Sequence, residues 1–136
     1  MKRILIIGGV AAGATAAARA RRLSKDAEIV LLEAGPDISF ANCGLPYYIS
    51  GDIDRRSKLI LQSPESFREQ YDVQVETETE VIAIDREAKK VRALQKSTDR
   101  EVEYPYDALI LAQGGKPLVP PIPGVERSNV FSLWTL

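Results

Sequence analysis

Ile4-Leu5-Ile6-Ile7-Gly8-Gly9-Val10-Ala11-Ala12-Gly13 is the stretch on which the reading of this chain turns. Arg3 to Ile7 is a short, unbroken aliphatic run, the pattern of a strand covered on both faces. Gly8-Gly9 interrupt it, and an alanine-rich segment of good helix formers follows from about Ala11 to Leu23. Glu28 to Glu33 supplies a second strand, Ile29-Val30-Leu31-Leu32, ending on an acid. Strand, glycine turn, helix and strand within about 30 residues make a βαβ unit, hence parallel and right-handed. The expected fold class is therefore α/β, built on a Rossmann-like parallel sheet.

The glycine turn sits where a dinucleotide fingerprint belongs. Gly8 permits a tight turn, and Gly13 permits close packing of the helix. Backbone N–H groups at the helix start then face a pyrophosphate under the helix dipole. Val10 stands in place of the usual middle glycine, and glycines at a strand–helix turn often serve the backbone alone. Glu33 strengthens the match. It ends the next strand about 20 residues past Gly13, where an acid bonds ribose hydroxyls. A solvated glutamate at a strand end is the plainer alternative.

Further along, Ala34 to Pro64 is irregular. Asn42 is expected to cap a short helix through about Ile49, with Pro46 in or near its first turn. Ser63-Pro64-Glu65 opens another helix, with proline at the first helical position. Val73-Gln74-Val75 and Val81 to Ile84 alternate, and Val91 to Leu94 and Val102 to Tyr106 are strand-like; together they read as a small antiparallel meander. Ala108 to Ala112 is again a buried aliphatic strand, and Lys116 to Gly124, rich in proline, reads as extended.

Bulk properties narrow the function. With 136 residues there is room for one domain with a real core. Hydrophobic residues at 45% and charged residues at 27% describe a globular chain, not a disordered one. The net charge of −1 gives no electrostatic case for nucleic acid or an acidic membrane. Lys2-Arg3 before Ile4 to Ile7 imitates a secretory signal, but Gly8-Gly9 and the arginines at 19, 21 and 22 break the imitation. Nothing approaches the ~20 apolar residues of a membrane span. One cysteine excludes an internal disulfide framework and fits a reducing, cytoplasmic compartment. No metal site is expected.

That cysteine lies in Ser39-Phe40-Ala41-Asn42-Cys43-Gly44-Leu45-Pro46-Tyr47-Tyr48. A lone cysteine is usually inert and buried, but a helix start favours thiolate. No partner cysteine follows, so a redox cycle must hold oxidation as a sulfenic acid or as a mixed disulfide with a small thiol. On the first helix, Thr15, Arg19 and Arg22 share one face at i, i+4, i+7. Two guanidiniums and a hydroxyl there suit phosphates; a solvated basic face is the alternative.

Ser39 to Tyr48 resembles the active-site stretch of the coenzyme A-disulfide reductases and the related NADH-dependent persulfide reductases, pyridine-nucleotide-disulfide oxidoreductases with one catalytic cysteine. Ile4 to Gly13 and Tyr106 to Pro117 resemble that family's flavin-contacting segments, and the likeness covers essentially the whole chain. It implies that Cys43 is the nucleophile. Gly8, Gly9, Val10, Ala11, Ala12, Gly13, Glu33 and Ala34 would hold the ADP half of FAD. Val81 would meet the adenine through its strand's backbone, and Ala112 and Gly114 would close over the cofactor. Thr15, Arg19, Arg22, Ser39 and Asn42 would contact coenzyme A, although Gln70-Tyr71 stand where some relatives carry a lysine.

The resemblance further implies residues 1–115 as the first segment of an FAD-binding domain. Residues 116–136 would be an extended exit toward a nicotinamide-binding domain absent from this chain. The fold would then be incomplete relative to the family's, a later strand being supplied elsewhere, and the isolated chain inactive. In a full-length homodimer, electrons would pass from NAD(P)H through FAD to a Cys43 mixed disulfide. The substrate would be coenzyme A disulfide, a persulfide or a polysulfide. A sulfenic-acid NADH oxidase or peroxidase, or a non-catalytic nucleotide-binding fragment, are the alternatives.

Overall fold

Arg3–Ile7 forms the first strand, β1, in the computed structural model, which describes residues Met1–Leu136. Leu5 and Ile6 are both fully buried, one on each face, as a strand in the middle of a layered fold requires. The chain turns into α1 (Ala11–Leu23) and returns along β2 (Glu28–Leu32), parallel to β1 from Arg3↔Glu28 to Ile7↔Leu32. A 3₁₀ turn (Asn42–Gly44), α2 (Leu45–Ser50), a second 3₁₀ turn (Arg56–Leu59) and α3 (Pro64–Tyr71) follow. Ser63 caps α3: its hydroxyl accepts from Ser66 N–H while Ser66 Oγ accepts from Ser63 N–H. Then come β3 (Gln74–Glu76), β4 (Thr79–Asp85), β5 (Lys90–Gln95), β6 (Arg100–Pro105) and β7 (Ala108–Leu111).

These elements stack in three layers. A four-stranded parallel sheet in the order β3-β2-β1-β7 lies between the helices and an antiparallel sheet β4-β5-β6. On the helix side, Ile6, Ile29 and Leu31 meet Ala14, Ala17 and Ala18 of α1 and Phe67 of α3. Alanine at these spacings lets α1 lie close to the sheet. On the other side, Leu5, Val30 and Leu32 meet Val91 and Ala93 of β5. Odd and even residues of β1 thus serve separate cores.

Three expectations are corrected. Val73-Gln74-Val75 does not join the meander: β3 extends the parallel sheet beyond β2, with Val73 and Val75 buried among the helix-side residues. A two-residue alternation marks a half-buried strand but not which sheet it enters. β7 is not buried throughout. It forms the edge of the sheet, and Leu111 is 57% exposed. Asn42 does not cap a helix. It opens the 3₁₀ turn with no side-chain cap, and its carbonyl accepts from Leu45 N–H. The α-helix itself starts at Leu45 and ends after Ser50, at Gly51 in the left-handed region.

Arg21 ties the helix layer together. Its guanidinium donates to Lys25 O at 2.6 Å beyond α1 and to Tyr71 O at 3.1 Å and Asp72 O at 2.6 Å at the end of α3. Asp72 adds its carboxylate at 3.3 Å. The Arg21 side chain is only 15% exposed, so its loss strands carbonyls at two helix ends. Arg21→Met should cost about 2 kcal/mol of stability. Arg22→Met, on the exposed face, should cost less than about 0.5 kcal/mol. Urea midpoints of the two variants check this; equal shifts would contradict it.

Candidate functional site

The turn after β1 needs two of its glycines for purely steric reasons. Gly8 has φ +97°, and a Cβ there would sit 2.3 Å from Ala112 O. A Cβ on Gly13 would sit 1.7 Å from Gly8 O, because α1 starts directly against the turn. Gly8 N–H donates to Leu32 O at 2.8 Å and Ala112 N–H to Ile7 O at 2.7 Å, so the turn is stitched to strands on both sides.

This packing leaves a cavity of about 510 Å³ over the carboxyl ends of the parallel strands. Open α/β sheets place ligands there. Gly8, Val10, Ala11 and Ala12 form one wall, Glu33 and Ala34 another, and Ala112 and Gly114 a third. The first turn of α1 has no side-chain cap and no acidic residue, so its backbone donors are left for an anion. Val10, at the middle position, lines the cavity. Glu33 is anchored beside this turn: Gly9 N–H donates to its Oε2 at 2.6 Å and Gly35 N–H to its Oε1 at 2.8 Å. Each carboxylate oxygen keeps acceptor capacity for a hydroxyl. The solvated strand-end alternative does not describe a carboxylate held this way. Gly9 and Gly13 are buried and do not line the cavity. A second cavity of about 400 Å³ shares Gly8, Glu33, Ala34 and Gly114 with the first and adds Val81.

The residues that the resemblance implies for substrate divide. Thr15, Arg22 and Ser39 line a separate groove of about 390 Å³ between α1 and α3, together with Leu61, Gln62, Phe67 and Tyr71. Arg19 is exposed on the same helix but outside the groove's lining, and Asn42 borders the first cavity instead. Neither the Arg19 nor the Arg22 side chain makes a hydrogen bond or ion pair within the chain, in contrast to that of Arg21.

The segment leading to Cys43 runs between these spaces. Ser39 N–H donates to Gly9 O, Ala41 N–H to Leu59 O, and Ser39 O accepts from Leu61 N–H, each at 2.8–2.9 Å. Ser39 has φ +49°, an uncommon conformation for a non-glycine residue. Ser39 faces the groove, Phe40 and Asn42 face the cavity, and Cys43 follows as an exposed free thiol in the 3₁₀ turn. Sequence reasoning missed Lys96 and Asp37, which also line the cavity. It missed Gln62 and the Phe67–Tyr71 pair at the groove too. None of these lies in a motif; only tertiary contact brings them here.

The arrangement offers a helix start with free backbone donors, an anchored carboxylate facing the same cavity and, four residues beyond the groove-lining Ser39, an exposed thiol. The residues lining the cavity fit the pyrophosphate and ribose of a dinucleotide, as in the ADP half of FAD. No helix is long and apolar enough to cross a membrane.

Comparison with known proteins adds the following. The signature of the family described as pyridine nucleotide-disulphide oxidoreductase matches residues 2–136. A coenzyme A disulfide reductase of Staphylococcus haemolyticus is 43% identical over 114 residues, covering 84% of this chain and 26% of that protein. An NADH oxidase of Methanocaldococcus jannaschii is 37% identical over 134 residues, covering 98% of this chain and 30% of that protein. The solved NAD-dependent persulfide reductase from A. fulgidus superimposes with a TM-score of 0.90 at 38% identity, covering 98% of this chain and 25% of that one. The chain thus spans less than a third of the length of each.

Proposed function

Because the chain belongs to the pyridine nucleotide-disulphide oxidoreductase family, we propose that it supplies the FAD-binding and cysteine-bearing segment of an NAD(P)H-dependent reductase of coenzyme A disulfide, persulfide or polysulfide. The observation that carries this reading is the Ser39–Cys43 segment, which borders both the dinucleotide cavity and the arginine-edged groove and ends in the chain's one thiol. The activity proposed is that of the longer polypeptide, with residues 116–136 leading toward its nicotinamide-binding part.

The chain's own groups have separable tasks. N–H groups of the α1 start take the pyrophosphate, and the anchored Glu33 carboxylate accepts from ribose hydroxyls. Arg22, with Arg19 and Thr15 beside it, takes phosphate on the substrate and so directs its sulfur toward Cys43. The Cys43 thiolate attacks one sulfur of the disulfide; a Cys43–S bond forms, the substrate S–S bond breaks and the other half leaves as thiolate. A flavin held by the cavity would supply the two-electron reduction, drawn from NAD(P)H, that this mixed disulfide needs to release its second thiol; the chain's part is to present the Cys43 sulfur. Overall, one disulfide, one NAD(P)H and one proton become two thiols and NAD(P)⁺.

The likeness to an NADH oxidase favours a second reading, in which Cys43 cycles through a sulfenic acid. Intact mass of the oxidised full-length protein separates the two. An adduct of coenzyme A mass on Cys43 supports the reductase, whereas a single added oxygen supports the oxidase.

The substrate row gives a further expected outcome. Arg22→Ala, in the groove lining, should lower kcat/KM for coenzyme A disulfide about tenfold, as loss of a charge-assisted hydrogen bond does, and Arg19→Ala, outside that lining, should lower it by a smaller factor. Raised salt should mimic part of that loss. Equal defects with a small uncharged disulfide would return the basic face to solvated surface.

A further inference from the structure

The peptide that joins Ala34 to Gly35 is held at both ends. Its carbonyl accepts from Lys96 Nζ at 2.9 Å, and its N–H donates to Glu33 Oε1 at 2.8 Å. Glu33 Oε2 in turn accepts from Gly9 N–H at 2.6 Å. Lys96 therefore stands at the far end of a hydrogen-bond chain that reaches the glycine turn through one peptide and one carboxylate. The lysine is itself fixed in place. Its backbone N–H donates to Glu78 O at 2.8 Å, and its ammonium pairs with Glu80 at 3.0 Å. It follows directly on β5, so the antiparallel layer reaches into the cavity at this point.

A full charge on a carbonyl polarises the whole peptide and strengthens donation by its N–H. In this peptide, that N–H is the one that holds Glu33. We infer that Lys96 is a positioning residue for the adenosine half of the cofactor, acting through the Ala34–Gly35 peptide on the Glu33 carboxylate. The inference rests on the dinucleotide reading of the cavity. It requires no contact between the lysine and the ligand. Without the ammonium, the Ala34–Gly35 peptide is less polarised, and Glu33 is held less firmly by one of the two N–H groups that aim it.

The test strips FAD from the full-length protein and measures the Kd for FAD by fluorescence quenching. The variants are Lys96→Met, Lys96→Arg, Glu33→Ala and the Lys96→Met/Glu33→Ala double. Lys96→Met should weaken FAD about fivefold, the upper range for a solvent-exposed charge contact, and Lys96→Arg should recover most of that loss. In the Glu33→Ala background, Lys96→Met should add nothing, because the carboxylate it positions is gone. No loss from Lys96→Met, or the same loss in both backgrounds, overturns the inference. Unchanged FAD affinity in Glu33→Ala alone overturns the cofactor reading of the cavity, and the role of Lys96 falls with it; the two failures are thus read from different variants.

Discussion

Cys43→Ser should lower kcat/KM for disulfide substrates by about 10³-fold or more in the full-length enzyme. Cys43 is the only cysteine in the chain, and no second thiol stands within this segment to take over the attack. A serine hydroxyl at neutral pH is a far poorer nucleophile toward sulfur, and the bond it would form is not a disulfide that two electrons can cleave. The side chain is exposed in a 3₁₀ turn, outside both hydrophobic cores, so the exchange of sulfur for oxygen leaves the fold unburdened. Flavin content and urea midpoint should therefore match the parent. Turnover within tenfold of the parent, with flavin content intact, would remove Cys43 from the mechanism.

A comparably severe effect is expected from a single methyl group at the turn. Gly13→Ala places a Cβ 1.7 Å from Gly8 O and 2.8 Å from Gly8 C, and both are backbone atoms that cannot rotate away. Relief requires α1 to lift from the sheet. That would separate Ala14, Ala17 and Ala18 from Ile6 and disturb the cavity lined by Gly8, Val10, Ala11 and Ala12. Overpacking against backbone sits at the severe end of core substitutions, so a loss of about 3 kcal/mol or more is expected, with FAD retention lost as well. Gly115→Ala is the matched control. Nothing lies within 4 Å of its added Cβ, and the change should be neutral within about 0.5 kcal/mol. Denaturation midpoints and bound flavin per chain, compared between the two variants, decide the matter. Equal tolerance would mean that α1 does not seat against Gly8 in solution.

The legibility of the chain followed the range of the forces involved. Arg3 to Ile7, the glycine turn, the alanine-rich helix and Glu28 to Leu32 were readable because a buried strand, a tight turn and a helix each leave a short-range signature. The Ser63-Pro64 start of α3 was readable for the same reason, since an N-cap and its first turn are neighbours in sequence. Asn42 misled because a capping residue type says nothing of whether a 3₁₀ turn or an α-helix comes next.

Position in space was another matter. Arg19, Arg21 and Arg22 look alike as letters, yet Arg21 staples two helix ends while the other two stay unpaired at the surface. Their roles depend on where α3 ends, some 50 residues away in the chain. Lys96, in a polar hairpin segment, carries no signal at all until the meander folds against the loop after β2. Local sequence thus determined the βαβ unit, the anion-ready helix start and the presence of one thiol. Only the tertiary structure decided which arginine is structural, which sheet β3 joins and how one segment comes to border both cavity and groove, because those outcomes depend on packing between residues far apart in the chain.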